Sequence, residues 1–116
     1  MMEKRKQQRR HLAFQLNVVD RVTGEELGHI GNISPAGAMI VTEKDLPVDV
    51  TYDVKIDLRD LEELGNQDYL ETKLQTAWSL PDTNPDLNRV GSRFVDVKEA
   101  DKYLIYHMIN YFGFTY

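Results

Sequence analysis

The sequence predicts an all-β domain: a six-stranded antiparallel β-barrel with one C-terminal amphipathic α-helix. Three observations carry that expectation. Apolar and polar residues alternate with period two through most of the chain. Clusters of Gly, Pro, Asn and Asp interrupt the alternation at short intervals. The period then lengthens to that of a helix only after residue 97. At 116 residues the chain is long enough to bury one core. We read it as a basic flexible arm over 1–11, a barrel over 12–97 and a helix over 98–112.

The strands follow in order. Leu12, Phe14, Leu16 and Val18 fall on one face of the first, with Ala13, Gln15 and Asn17 on the other. Asp20-Arg21-Val22-Thr23-Gly24 has turn chemistry, with Gly24 suited to positive φ. A second strand covers about Glu26–Ile33, breaks at Asn32–Gly37 and resumes as Ala38–Val41. Val50, Tyr52, Val54, Ile56 and Leu58 alternate with Thr51, Asp53, Lys55 and Asp57, which gives one dry and one wet face. Asp60–Gln67 is a polar connection, followed by alternating Leu70, Thr72, Leu74, Thr76 and Trp78. That alternation assigns Trp78 to the core. Pro81–Asn88 reads as a loop, and Arg89–Val97 as a last strand whose internal Gly91 marks a bulge or a close backbone approach.

Asp96-Val97-Lys98-Glu99 has the form of a capping box with Asp96 as N-cap. Leu104, Ile105, Met108, Ile109 and Phe112 then make one apolar stripe, and Gly113 stands where a helix C′ residue belongs. Tyr103, Tyr106, Tyr111 and Phe112 exceed what one stripe can bury, so some of them are expected to face a partner or a second copy.

Composition removes several functions. The chain has no Cys, which excludes disulfides, thiolate metal sites and a cysteine nucleophile. The start lacks the apolar core of a secretory signal, and nothing approaches the roughly 18 apolar residues of a membrane helix, so a cytoplasmic protein is expected. No nucleophile elbow, P-loop or dinucleotide fingerprint is present, and the expectation is a protein without catalytic activity or cofactor. His11, His29 and His107 have no spacing that suggests a metal site, and Glu62-Glu63, Asp53 and Asp57 read as solvated surface.

Charge is unevenly placed. Residues 1–11 carry five Lys/Arg against one Glu, about +4, and the remainder nine Lys/Arg against eighteen Asp/Glu, about −9. The run Lys4–His11 is either a solvated tail or an anion-binding arm. A net charge of −5 argues against general nucleic-acid binding. Downstream, Ser34-Pro35-Ala36-Gly37 has the residues of a type I turn, and that structural reading is complete by itself. Yet Asn32 and Ser34 share a strand face at i, i+2, and together they present an amide and a hydroxyl suited to the edge of a planar polar ligand.

In that order, Arg5-Lys6-Gln7-Gln8-Arg9 and Asn32-Ile33-Ser34-Pro35-Ala36-Gly37 resemble the Arg-x-x-x-Arg and Asn/Asp-x-Ser-x-x-Gly elements of the PilZ domain family. The Thr23-Gly24-Glu25 turn, Trp78, and Gly91-Ser92-Arg93-Phe94 ahead of a helix add to the likeness, which covers nearly the whole chain. The resemblance implies a bacterial receptor for cyclic di-GMP. Arg5 and Arg9 would grip phosphate or guanine, Arg10 would add a phosphate contact, Asn32 and Ser34 would meet a guanine edge, and Gly37 would keep the turn open. The ligand would order the arm against the barrel, and a downstream protein partner would read the new surface. The alternative is an interaction module of the same fold that does not bind nucleotide. A second register, Lys6/Arg10, is available one residue on, but lysine cannot form the planar fork, so Arg5/Arg9 is preferred. Arg93, on the last strand, could help hold a phosphate, but a plain surface residue is the preferred reading.

Overall fold

The alternating segments become six strands in the computed structural model, which describes residues 15–59 and 67–113. They are β1 (Asn17–Asp20), β2 (Glu26–Ile33), β3 (Gly37–Thr42), β4 (Thr51–Asp57), β5 (Tyr69–Pro81) and β6 (Asn88–Val95), followed by α1 (Glu99–Gly113). The strands close into an antiparallel barrel in the order β1-β2-β3-β6-β5-β4. Closure removes the open edges that a flat sheet would present over most of its length. The predicted arm, Leu12 to Phe14, and most of the Asp60–Gln67 connection lie outside the described residues.

Period-two alternation translates directly into burial. Leu16 just before β1, Val18 in β1, Val54 and Ile56 from β4, and Leu70 and Leu74 from β5 are all buried in the core. Each such side chain contributes roughly 1.5–3 kcal/mol by leaving water. The Asp20–Gly24 turn forms as expected, with Gly24 at φ 79° and its N–H donating to the Asp20 carbonyl at 2.8 Å. Alternate wet positions carry exposed ion pairs: Arg21 reaches Asp53 at 3.1 Å. The Arg59 guanidinium holds the Asp57 carboxyl below its ordinary range, chiefly through a side-chain hydrogen bond.

Thr76 shows how the barrel ends are tied. Its fully buried hydroxyl donates to the Pro47 carbonyl at 2.7 Å and accepts from the Val50 N–H at 3.1 Å. The β3–β4 connection is thereby fastened beneath β5. Thr76→Val leaves both main-chain groups without that partner, so a loss of about 1–3 kcal/mol is expected in denaturant unfolding. A loss within a few tenths of a kcal/mol would mean that solvent takes over the bonds.

The helix packs against β2 and fills the core from outside the barrel with Leu104, Ile105 and Met108. Its exposed face carries Tyr103 and Tyr106, with the Tyr103 and His107 rings edge to face at 4.5 Å. The start of the helix differs from the capping-box expectation. Asp96 sits at φ 56°, the left-handed region, and serves as the corner between β6 and the helix. The first helical bonds instead run to the Lys98 carbonyl, from the N–H groups of Asp101 at 3.0 Å and Lys102 at 3.1 Å. The strand must turn sharply before the helix can lie on β2, and Asp tolerates that backbone better than most residues. The helix also continues through Gly113 rather than ending before it.

Candidate functional site

The Asn32–Gly37 segment folds as a hairpin between β2 and β3. The Ser34 N–H donates to the Gly37 carbonyl at 2.8 Å, and the Gly37 N–H returns to the Ser34 carbonyl at 3.3 Å. Pro35 and Ala36 form the loop, and neither has positive φ, in keeping with the predicted type I geometry. The Ser34 hydroxyl accepts from the Ala36 N–H at 3.3 Å, and the Phe94 N–H donates to the Ala36 carbonyl at 2.9 Å. The turn is therefore braced from within and fastened to β6.

Asn32 faces outward because β2 is bulged. The pairing with β3 shifts register between Ile30 and Asn32, so Gly31 is the extra residue. Ile30 and Ile33 are both buried, three positions apart, and Asn32 is exposed with Ser34. Without the bulge, Asn32 would lie on the same side as Ile30. Its Oδ1 accepts from the Ile33 N–H at 2.9 Å, which fixes the amide and leaves Nδ2 without a partner among the described residues.

A second bulge overturns the expectation for Trp78. The pairing of β5 with β6 shifts register between Thr76 and Trp78. Thr76 remains buried, whereas Trp78 is 43% exposed on the barrel's outer face. Its indole lies flat against Gly91, where an added Cβ would fall 2.1 Å from Cε2. The expectation at Gly91 was a bulge or a close backbone approach; the bulge lies in the facing strand, and what approaches Gly91 is a side chain. Gly91→Ala is expected to push the indole off the strand, with a red-shifted emission from this chain's one tryptophan and little change in melting temperature. An unshifted spectrum would mean that the ring does not rest there.

These features surround one shallow groove of about 250 Å³ over the outer face of β2, β3, β6 and β5. Its walls include Asn32 and Ser34 on one side, Trp78 and Arg93 on the other, and Gly37 and Gly91 between them. The Arg93 Nη2 donates to the Gln75 Oε1 at 3.3 Å, so the guanidinium is held beside the groove. Among the described residues, Arg93 is the only charged one that lines the groove and no carboxylate does, although the chain as a whole carries a net charge of −5. An aromatic face, a guanidinium, an amide and a hydroxyl at one shallow surface suit a planar, polar, anionic ligand. The groove is smaller than the roughly 300–1,000 Å³ of an ordinary ligand pocket, so a ligand of nucleotide size needs a further wall.

Of the predicted site residues, Asn32, Ser34 and Gly37 meet at this groove. Gly37 is itself buried, and its lack of a side chain serves the approach of β6: a Cβ there would lie 1.9 Å from the Ser92 carbonyl oxygen. Arg5, Arg9 and Arg10 lie outside the described residues. The chain nevertheless enters β1 close by, since the Leu16 carbonyl accepts from the Ile30 N–H at 2.9 Å, two positions from Asn32. Sequence reasoning missed Trp78 and set Arg93 aside as plain surface. The Gly91 signal was present for the first, but its partner across the strands was not visible.

No group of three or more His, Asp or Glu side chains is placed to hold a metal among the described residues. No helix among them is long and apolar enough to cross a membrane.

Comparison with known proteins gives concordant results. The family model described as PilZ domain matches residues 3–111. Among solved structures, the chain is similar to the Bacillus subtilis inhibitor of motility MotI/DgrA, with a TM-score of 0.68 at 16% identity, covering 86% of this chain and 47% of that one. It is also similar to YcgR from Escherichia coli, solved in complex with c-di-GMP, with a TM-score of 0.63 at 11% identity, covering 85% of this chain and 41% of that one. The chain thus spans less than half the length of either structure. No curated protein sequence matches.

Proposed function

Because the chain belongs to the PilZ domain family, we propose that it is a receptor for cyclic di-GMP that acts by binding, without catalysis. One observation carries the reading: the outward-facing Asn32–Gly37 hairpin and the Trp78–Arg93 side meet at a groove that no carboxylate among the described residues lines, beside the point where residues 1–14 join the barrel. The ligand supplies what that surface lacks, two phosphates and two purine faces. In this reading Asn32 and Ser34 meet a guanine edge, and Trp78 offers a stacking face. Arg93 and the fork-shaped Arg5 and Arg9 neutralise phosphate or pair with guanine O6 and N7, with Arg10 as a further phosphate contact.

The arm then completes the missing wall. Arg9 lies six residues before Gln15, the first described residue. An extended chain of that length reaches about 20 Å, enough to return over the groove. Binding orders the arm against the barrel and creates a combined surface that a cytoplasmic protein partner reads. The YcgR complex, in which the ligand is c-di-GMP, supports the choice of nucleotide.

Titration calorimetry with cyclic di-GMP tests the proposal and gives the stoichiometry. Saturable binding at tens of micromolar or tighter is expected, with quenching of Trp78 fluorescence over the same range. Absence of heat and of saturation sinks the receptor reading and favours an interaction module of the same fold. Arbitrary oligonucleotides, tested at two salt concentrations, separate it from a nucleic-acid-binding barrel, whose affinity falls steeply with salt.

A further inference from the structure

Strand β5 outruns its neighbour. β4 begins at Thr51, opposite Gln75, and the preceding chain stays beside β5 only as far as Thr76. There the Asp49 N–H donates to the Thr76 carbonyl at 2.7 Å, and Asp49, at φ 62°, turns the chain away. β5 continues to Pro81, still paired on its other side with β6. From Ala77 to Leu80, one edge of β5 therefore has no strand beside it among the described residues.

Such an edge is a row of unpaired main-chain donors and acceptors. Proteins ordinarily blunt it with Lys, with Pro or with a covering element. Here it reads Ala77-Trp78-Ser79-Leu80, uncharged, with Trp78 43% and Leu80 52% exposed. Pro81 blunts only its far end.

We propose that this edge docks an extended segment of a protein partner, which joins the barrel as an added strand. The main chain of the segment pairs with β5, and alternate apolar side chains meet Trp78 and Leu80. Charge specifies the rest of the partner. Asp49 stands exposed at one end of the edge, and the loop after Pro81 carries Asp82 and Asp86 at the other. Arg89 lies 3.6 Å from Asp82 and offsets one of these charges. A segment with Lys or Arg at its ends complements the site. A second copy joined edge to edge by a two-fold axis would set Asp49 of each against the acidic loop of the other, and like charges oppose that pairing. Trp78 belongs to both the groove and the edge, so ligand and strand meet at one side chain; this coupling rests on the nucleotide reading, whereas the docking does not.

The test begins with hydrogen exchange on the full chain. The edge-facing amides between Ala77 and Leu80 should exchange rapidly, and equally fast at low and high protein concentration. Protection at every concentration would mean that the chain covers its own edge. Protection that grows with concentration would mean a second copy. Either result overturns the proposal. Random peptides displayed on phage are then selected against the full chain. Alternating apolar residues between basic ends should be enriched, and a synthetic peptide of that consensus should protect the same amides. Methylating its main-chain nitrogens on one edge should abolish binding, while methylating those on the other edge should not. Leu80→Lys should weaken the peptide at least about ten-fold and leave cyclic di-GMP affinity unchanged. No strand-like consensus, protection elsewhere, or indifference to Leu80→Lys refutes the docking even if the nucleotide binds. Failure of nucleotide binding alone leaves it standing.

Discussion

Arg9→Ala is expected to lower the affinity for cyclic di-GMP by about 30- to 150-fold. That corresponds to about 2–3 kcal/mol, the scale of one charge-assisted bidentate pair whose partner is left without its fork. Arg5→Ala should cost a similar amount, because in the preferred register both residues would grip the ligand. Lys6→Ala should cost much less, since an ammonium is a point charge that water and neighbouring cations replace. The ligand-induced rise in melting temperature should shrink in step, as that rise follows the dissociation constant. Without ligand, the variants should melt with the wild type, which separates lost contacts from lost fold. If Lys6→Ala and Arg10→Ala prove the damaging pair, the register is shifted by one residue.

Gly37→Ala should be among the most destabilising single-methyl additions in the barrel. The new Cβ would fall 1.9 Å from the Ser92 carbonyl oxygen and 2.9 Å from the Arg93 Cα. Both are main-chain atoms, held by the Gly37↔Arg93 and Ala38↔Ser92 pairings, so neither can rotate aside. Strands β3 and β6 must separate, at a cost near the upper end of the 1–3 kcal/mol usual for overpacking. For a domain of this size that is a fall in melting temperature on the order of 10–20 °C. Gly91→Ala is the informative contrast, because there the obstacle is a half-exposed indole that can swing into solvent. A Gly37→Ala protein that melts with the wild type would show that β3 and β6 lie farther apart than described.

The two glycines show what kind of information the chain carried openly. Gly91 pointed to a bulge or a close backbone approach through its position inside a strand, but not to a bulge in the facing strand or to the Trp78 side chain as the group approaching. Gly37 stands out in the resemblance as the residue that would keep the turn open, and the sequence does not show that the backbone of β6 occupies the space its side chain would need. In each case the residue type was legible and the neighbour was not, since the neighbour comes from a strand distant in sequence.

Asn32 and Trp78 extend the same lesson to side-chain direction. Strict alternation put Trp78 in the core with Leu70 and Leu74, and the bulge after Thr76 put it outside. Asn32 was placed correctly beside Ser34, because their i, i+2 spacing lies beyond the bulge at Gly31 and is unaffected by it. The capping box failed for a related reason. Asp96 had the right residue type, but the route from β6 to the helix needed it as a left-handed corner, and the helix began at Glu99.

By itself, then, the sequence determined the strands, the Asp20–Gly24 and Ser34–Gly37 turns, the helix and its apolar stripe, because each depends on residues near one another along the chain. Through spacing it also singled out Asn32, Ser34 and Gly37. Only the tertiary structure decided that Trp78 and Arg93 stand across a groove from them, and that β5 leaves an edge uncovered. Those outcomes depend on inter-strand register, which a single inserted residue reverses for every side chain beyond it. Register is fixed by how six strands fit around one core, and no local stretch of sequence contains that fit.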